Sequence, residues 1–386
     1  MSHEESRSGC PVKHRGAYVP PRFQQGPITT ALNLGPLASL PGSWKGSGFN
    51  AIWRPDNAAD ETLPPTIKRY LELNLTSETL DFHVIPGVVP NRGLDPQTDL
   101  SLYGLHYLQR VTDADVPPFS TAGEALHIEP GLFMNVPASA TPANGPTIVR
   151  MASIPHGVTV LMQGPTPSST AVPGPPHIPP IFPLPEFPAF VPAPPIPPTP
   201  GLASDGNGIQ PVNLPVQQPP IEHQIPEVTL SNDIAGSQSN GPYPPSIPQS
   251  YVDDPNVVLR NAIAHQTILG TVTINLDSTA ANSEIANIPF LGNLANTYNS
   301  PFAANAFVES ARATFWIEWV RVPDYPRPHG GLGEILGEID PQLKKIEPFW
   351  PEPTYLQLQY SQVVILVFNK VRWPHVSVAT LTLSAG

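Results

Sequence analysis

His127 and Glu129 stand two residues apart in Leu126-His127-Ile128-Glu129-Pro130-Gly131. In an extended chain that spacing puts an imidazole and a carboxylate on one face. If the face lines a cavity, the pair could give and take protons as acid and base. The other face would carry Leu126 and Ile128, so ordinary amphipathicity would leave the pair in solvent instead. A second histidine opens the run Trp373-Pro374-His375-Val376-Ser377-Val378-Ala379. His375 shares a face with Ser377 and Ala379, small neighbours that leave space for a flat ligand. The opposite phase turns Val376 and Val378 inward and His375 to the surface, and both phases are open. His156, in Pro155-His156-Gly157, reads as a turn residue, and His106 fits core or lumen equally.

The run Pro41-Gly42-Ser43-Trp44-Lys45-Gly46-Ser47-Gly48-Phe49-Asn50 puts Trp44, Gly46, Gly48 and Asn50 on one strand face. Repeated glycine in a strand signals a bend, or close approach of a ring or another backbone. Trp44 would then plug one end of a closed sheet. Other chemistries have little behind them. There is no Gly-x-Ser-x-Gly elbow, no Gly-rich phosphate loop with lysine and no His-Glu-x-x-His. Asp95, Asp99, Asp113, Asp115 and Glu124 lack the spacing of a calcium loop. The single cysteine, Cys10, excludes an internal disulfide and any multi-cysteine metal cluster. A net charge of -12 with no basic stripe argues against nucleic acid as a partner. No secretory leader and no membrane span is read from the chain, which points to a cytoplasmic protein.

These residues need strands to position them. Short β-rich runs separated by Pro, Gly, Asn and Asp predict strands at 43–53, 69–74, 79–85, 100–111, 124–136, 147–153 and 159–163. Pro130 should bulge or break its strand. Between 164 and 256 there are 26 prolines, which exclude a central strand. That stretch reads as a long insertion that folds over the host through Phe182, Phe187 and Phe190, docks a protein partner, or stays disordered. Strands resume at 266–276, 313–322, 355–368 and 375–383, with one short helix expected near 332–339. The division is a disordered leader at 1–39, barrel at 40–163, insertion at 164–256 and barrel again at 257–386. The fold class expected is all-β, a closed antiparallel barrel of about ten strands, since closure removes sheet edges.

In three places the chain resembles the calycin superfamily, more narrowly the nitrobindin-like and fatty-acid-binding-protein-like heme-binding barrels. Gly42, Trp44, Gly46 and Gly48 match that family's Gly-x-Trp-x-Gly-x-Gly first strand. His127, Glu129 and Gly131 resemble its His-x-Glu-x-Gly strand, and His375 opens the last strand, where the family's heme ligand lies. The likeness spans 41–163 and 313–383. It implies heme b, with His375 as the axial metal ligand and Trp44, Gly46 and Gly48 in the cofactor-binding wall. His127 and Glu129 would form a distal acid/base pair for peroxidase-like or small-gas chemistry. Arg150 and Arg372 would pair with the heme propionates at the barrel mouth, or be surface cations. Two further readings stand beside it. One is a metal-free carrier of an apolar or planar molecule such as a fatty acid, terpenoid or pigment. The other is a heme-free enzyme that works in the lumen.

Overall fold

The computed structural model describes residues 33–55, 69–115, 123–155, 158–182, 246–280, 283–287, 307–323, 353–368 and 371–384. Its strands are β1 (Gly42–Pro55), β2 (Arg69–Val84), β3 (Val89–Asn91), β4 (Leu100–Asp113), β5 (Ala125–Val136), β6 (Ser139–Ala140), β7 (Ala143–Asn144), β8 (Thr147–Ile154), β9 (Val158–Pro165) and β10 (Val172–Pro173). After the insertion come helices α1 (Gln249–Asp253) and α2 (Val257–Ile263), then β11 (Ile268–Asp277), β12 (Glu284–Asn287), β13 (Phe307–Arg321), β14 (Thr354–Phe368) and β15 (Val371–Leu383).

Ten of these strands close into one antiparallel barrel, in the order β1-β2-β4-β5-β8-β9-β11-β13-β14-β15 and back to β1. The first and last strands pair over a long register, from Trp44↔Leu383 to Ile52↔His375. The seam between β9 and β11 is thin, one pair at Asp277↔Gln163, and β12 covers the rest of β9 from Glu284↔Leu161 to Asn287↔Val158. The insertion leaves from β9 and returns at β11, which are neighbours in the wall. It therefore occupies the place of a hairpin loop, where extra length costs little because closure entropy grows only logarithmically.

Two apolar clusters lie on opposite sides of this wall. The inner one gathers Trp44, Leu80, Phe82, Leu105, Tyr107, Phe133, Phe315, Ile317, Leu358 and Leu381. The outer one gathers Phe49, Ala51, Trp53, Leu71, Leu73, Val376 and Val378 beneath Ile178, Ile247, Val252 and Leu259. Those four covering residues come from the start of the insertion and from 247–259, so its end runs on through α2 past the expected boundary at 256, and both faces are buried in β1 over 49–53 and in β15 over 376–379. Phe182 is exposed, and Phe187 and Phe190 lie outside the described residues, as does the helix expected at 332–339.

Several expectations need correction. The runs at 69–74 and 79–85 are one strand, because Thr76 between them faces inward and is buried with Glu78, so a polar residue there does not mark a turn. The strand at Pro130 is not broken. Pro130 pairs Leu108 on one side, and on the other the β8 ladder begins only at Gly131↔Ala152, so the missing donor is not needed. Residues 33–39 are no loose leader. A 3-10 turn at Gly35–Ser39 drops Leu34, Leu37 and Leu40 into the inner cluster beside Trp44, whose indole N–H donates to Leu40 O at 2.7 Å.

The glycines of β1 are explained by backbone. A Cβ on Gly46 would lie 2.0 Å from Thr380 O, and one on Gly48 would lie 2.3 Å from Val378 O, because the backbone of β15 passes close against these positions. Gly46→Ala is therefore expected to destabilise the fold by about 1–3 kcal/mol, read from the urea midpoint. Glu318, buried on the outer face of β13, makes a second prediction. Burial pushes its carboxyl from 4.5 up to about 7, against the Gln357 amide that donates to it at 2.6 Å. The folded state thus binds the proton more tightly, and stability falls as pH rises from about 4.5 to about 7. Glu318→Gln should remove that slope and raise stability at pH 8 by on the order of 3 kcal/mol. Denaturation of both proteins at pH 4.5 and pH 8 checks it.

Candidate functional site: the polar chamber of the barrel

The middle of the lumen is crossed by side chains. Tyr360 on β14 donates its hydroxyl to Glu78 on β2 at 2.6 Å, and Gln109 on β4 donates to the Tyr360 oxygen at 3.0 Å. Thr76 donates to the same carboxyl at 2.8 Å. Burial raises the Glu78 pKa, with the donors from Tyr360, Thr76 and Gln109 opposing the rise. On the far wall Arg150 of β8 and Glu129 of β5 form a buried ion pair, and Tyr107 of β4 donates to the same carboxylate. Arg150 also donates to the Tyr107 oxygen at 2.9 Å and, across the lumen, to Gln362 of β14 at 2.6 Å. Phe133 and Phe315, from opposite walls, meet edge to face at 5.4 Å between centroids.

These contacts form a floor. On one side the lumen is filled with Trp44, Phe82, Leu105 and the leucines of the 3-10 turn. On the other, the inward residues turn small and polar. Pairing across β2, β1, β15 and β14 aligns Asn74, Asn50, Ser377 and Gln362 as a belt. Beyond it lies a rim of Glu72, Ile52, His375 and Val364 in the same order. Asn50 and Asn74 are buried, whereas Ser377, Gln362 and the rim are half-buried, so the chamber opens toward the rim. The inward side chains thus make an aromatic and charged floor, hydrogen-bonding walls and a mixed mouth, a lining of the kind that suits a small ligand with polar groups.

The proposed site residues fall in different places. His375 is on the lumen phase with Ser377 and Ala379, because Val376 and Val378 face outward into the covered outer cluster. Its Nε2–H donates to Trp53 O at 2.9 Å, which makes Nδ1 the unprotonated nitrogen of the neutral ring. His127 and Glu129 do face inward, while Ile128 is 41% exposed on the outer wall. The amphipathic reading of that strand is reversed because this lumen is polar. Burial would raise the Glu129 carboxyl, but the Arg150 charge and the His127 contact at 3.3 Å hold it down at about 2. A carboxylate so held is a poor proton acceptor at neutral pH, so Glu129 orients His127 rather than acting as a base.

Arg150 is not at the mouth. It sits in the floor, 3% exposed, with its charge already matched by Glu129. Trp44 is sealed in the opposite end, and the Cβ positions of Gly46 and Gly48 are taken by the backbone of β15, so these three line no space for a ring. The side chain of Arg372 and all of His156 lie outside the described residues. His106 faces outward and stacks on His83 at 4.9 Å. Glu78, Tyr360, Gln109, Asn74 and Gln362 were not singled out from sequence. The available signal was a polar or hydroxyl-bearing residue on every second position of a strand otherwise built of large β-formers, as in Tyr360 and Gln362 of β14.

No family model and no curated protein matches this chain. Among solved structures, Rv2717c from M. tuberculosis is similar at 11% identity, covering 92% of this chain and 98% of that one, with a TM-score of 0.32. A likeness that loose carries no argument here. Among the described residues there is no group of three or more metal-ligating side chains and no helix long and apolar enough to cross a membrane.

The floor makes its own prediction. Glu129→Gln leaves Arg150 buried without its counter-charge and should cost about 3–5 kcal/mol at pH 7, with Glu129→Gln/Arg150→Met recovering most of the loss. Because the Glu129 carboxyl is depressed from 4.5 to about 2, its contribution is complete above about 4.5 and is lost as pH falls toward 2. Equilibrium denaturation of the wild type across that window, compared with the double variant, should show the acid slope flattening.

Proposed function

We propose that the barrel is a binding protein for one small molecule held between floor and rim, and that heme b is the ligand it takes. What carries the proposal is His375, an imidazole on the lumen face of the last strand with Ser377 and Ala379 beside it and its tautomer defined by the Trp53 carbonyl. That is where the resemblance to heme-binding calycins expects an axial ligand. An N–H donated to a backbone carbonyl is also the usual orienting contact of a metal-ligating histidine. The fit is partial. Neither Arg150 nor the β1 glycines is free to hold the macrocycle, so His375 and the chamber walls would have to suffice. Bound heme would supply an iron centre for small-gas or peroxide chemistry. The chain's part would be to orient His375 through Trp53, to set the polarity of the chamber through Asn50, Asn74 and Gln362, and to present the His127 ring, tethered by Glu129, from the far wall.

One observation favours a second reading, a metal-free carrier. Asn50, Asn74, Ser377 and Gln362 line the lumen below the rim with uncharged hydrogen-bonding groups, which suit an uncharged organic molecule.

Reconstitution with hemin separates the two. Wild type should give a saturable one-to-one Soret band, and His375→Ala should weaken the affinity at least about tenfold or shift the band. A spectrum unchanged by the substitution removes His375 from the site, and an absence of any saturable band leaves the carrier.

A further inference from the structure

Six buried side-chain atoms among the described residues lack a hydrogen-bond partner, and two of them are the Oδ1 atoms of Asn50 and Asn74. The other four are on the outer face or in connections: Glu318 and Gln359 on β13 and β14, Asn256 at the start of α2, and Ser283 ahead of β12. Only Asn50 and Asn74 face the lumen, since Phe49, Ala51, Leu71 and Leu73 on either side of them point into the outer cluster. They are directly opposite each other on neighbouring strands, at 7% and 8% exposure. Directly opposed residues on one sheet face bring their side chains within contact distance.

Buried acceptors left without donors are rare in folded proteins and call for an explanation. Two of them side by side, in the wall of a chamber whose next residues, Ser377 and Gln362, are half-buried, have a common one. We infer that the Asn50–Asn74 pair is a recognition element for the hydrogen-bond donors of a bound small molecule, a hydroxyl or N–H group pointed at the two carboxamide oxygens. The apolar remainder of that molecule lies along Ile52, Val364 and Ala311 on the way to the rim. The ligand class is thus a compact amphiphile with a donor-bearing head, not a plain hydrocarbon, an inference that rests on the small-molecule-binding reading of the chamber and not on heme as its occupant.

The test uses the heme-free full chain and two probes of equal carbon number, 1-hexanol, which can donate, and 2-hexanone, which can only accept. Calorimetric titration should show hexanol bound at least about tenfold more tightly than hexanone, because a buried polar wall discriminates against an analogue that cannot satisfy it. In Asn50→Leu/Asn74→Leu the preference should fall to within about twofold. The melting temperature of that variant should be unchanged or higher, because removing an unsatisfied buried acceptor does not destabilise. Loss of preference with retained stability is what a purely structural pair would not give. If the double variant does not fold, side-chain amide resonances of wild type decide: those of Asn50 and Asn74 should shift with hexanol and not with hexanone. Equal binding of the two probes, no binding of either up to its solubility, or a preference that survives in the variant each overturns the inference. Heme is absent throughout, so failure here and failure of the His375 reading are separate results.

Discussion

A guanidinium buried in the middle of a barrel is cut off from bulk solvent, and the arrangement around Arg150 follows from that constraint. Glu129 supplies the counter-charge, Tyr107 donates to the same carboxylate, and Gln362 takes a further N–H from across the lumen. Four strands, β4, β5, β8 and β14, are thereby tied through the interior rather than only around the wall. The parallel set of Glu78, Tyr360 and Gln109 does the same for β2, β4 and β14. A closed sheet of this size is commonly filled by its own side chains. Here the filling is polar at the centre, so the lumen is divided into an apolar plug around Trp44 and an open polar chamber beneath His375.

The same division accounts for the role each candidate residue can play. Glu129 is committed to Arg150 and is too acidic to exchange protons near neutrality, which leaves His127 as a tethered ring rather than half of an acid/base couple. The β1 glycines serve the closure of the wall, because β1 approaches β15 closely enough that a methyl group would collide with Thr380 or Val378. The inward side chains left without a structural commitment are those between the floor, the Asn50–Asn74 pair and the rim, and the proposed binding role draws on them.

The proline-rich insertion is tied to the wall at both of its described ends. Ile178 on one side and Ile247, Val252 and Leu259 on the other cover the outer face of β1, β2 and β15. Thr271 of β11 donates its hydroxyl to Gly174 O at 2.9 Å, and Gln359 of β14 donates to Leu259 O at 3.0 Å, fastening the cover to the wall. It leaves and re-enters between neighbouring strands, and near its start only the two-residue β10 pairs with the edge of β11, so the barrel wall is intact.

Most strands were legible from the chain because period-two alternation of large β-formers needs no knowledge of neighbours, and closure followed from having many consecutive strands and no partner for the outer ones. The helices α1 and α2 were not legible, being short and held by the wall they cover. Nor was the inward face of the strands. Simple alternation assumes an apolar interior and a wet exterior, whereas here β1 over 49–53 and β15 over 376–379 are buried on both faces and the lumen is polar at its centre. The phase of His375 therefore could not be chosen from Val376 and Val378, and the usual rule by itself would have turned His127 and Glu129 outward, whereas the lumen-facing alternative is the one the fold adopts. The amino-acid order alone determined the elements and their one-dimensional spacing. Which side of each element is inside, and hence which polar residues meet across the lumen, depended on contacts between residues as far apart as Glu78 and Tyr360, whose partnership no local pattern records.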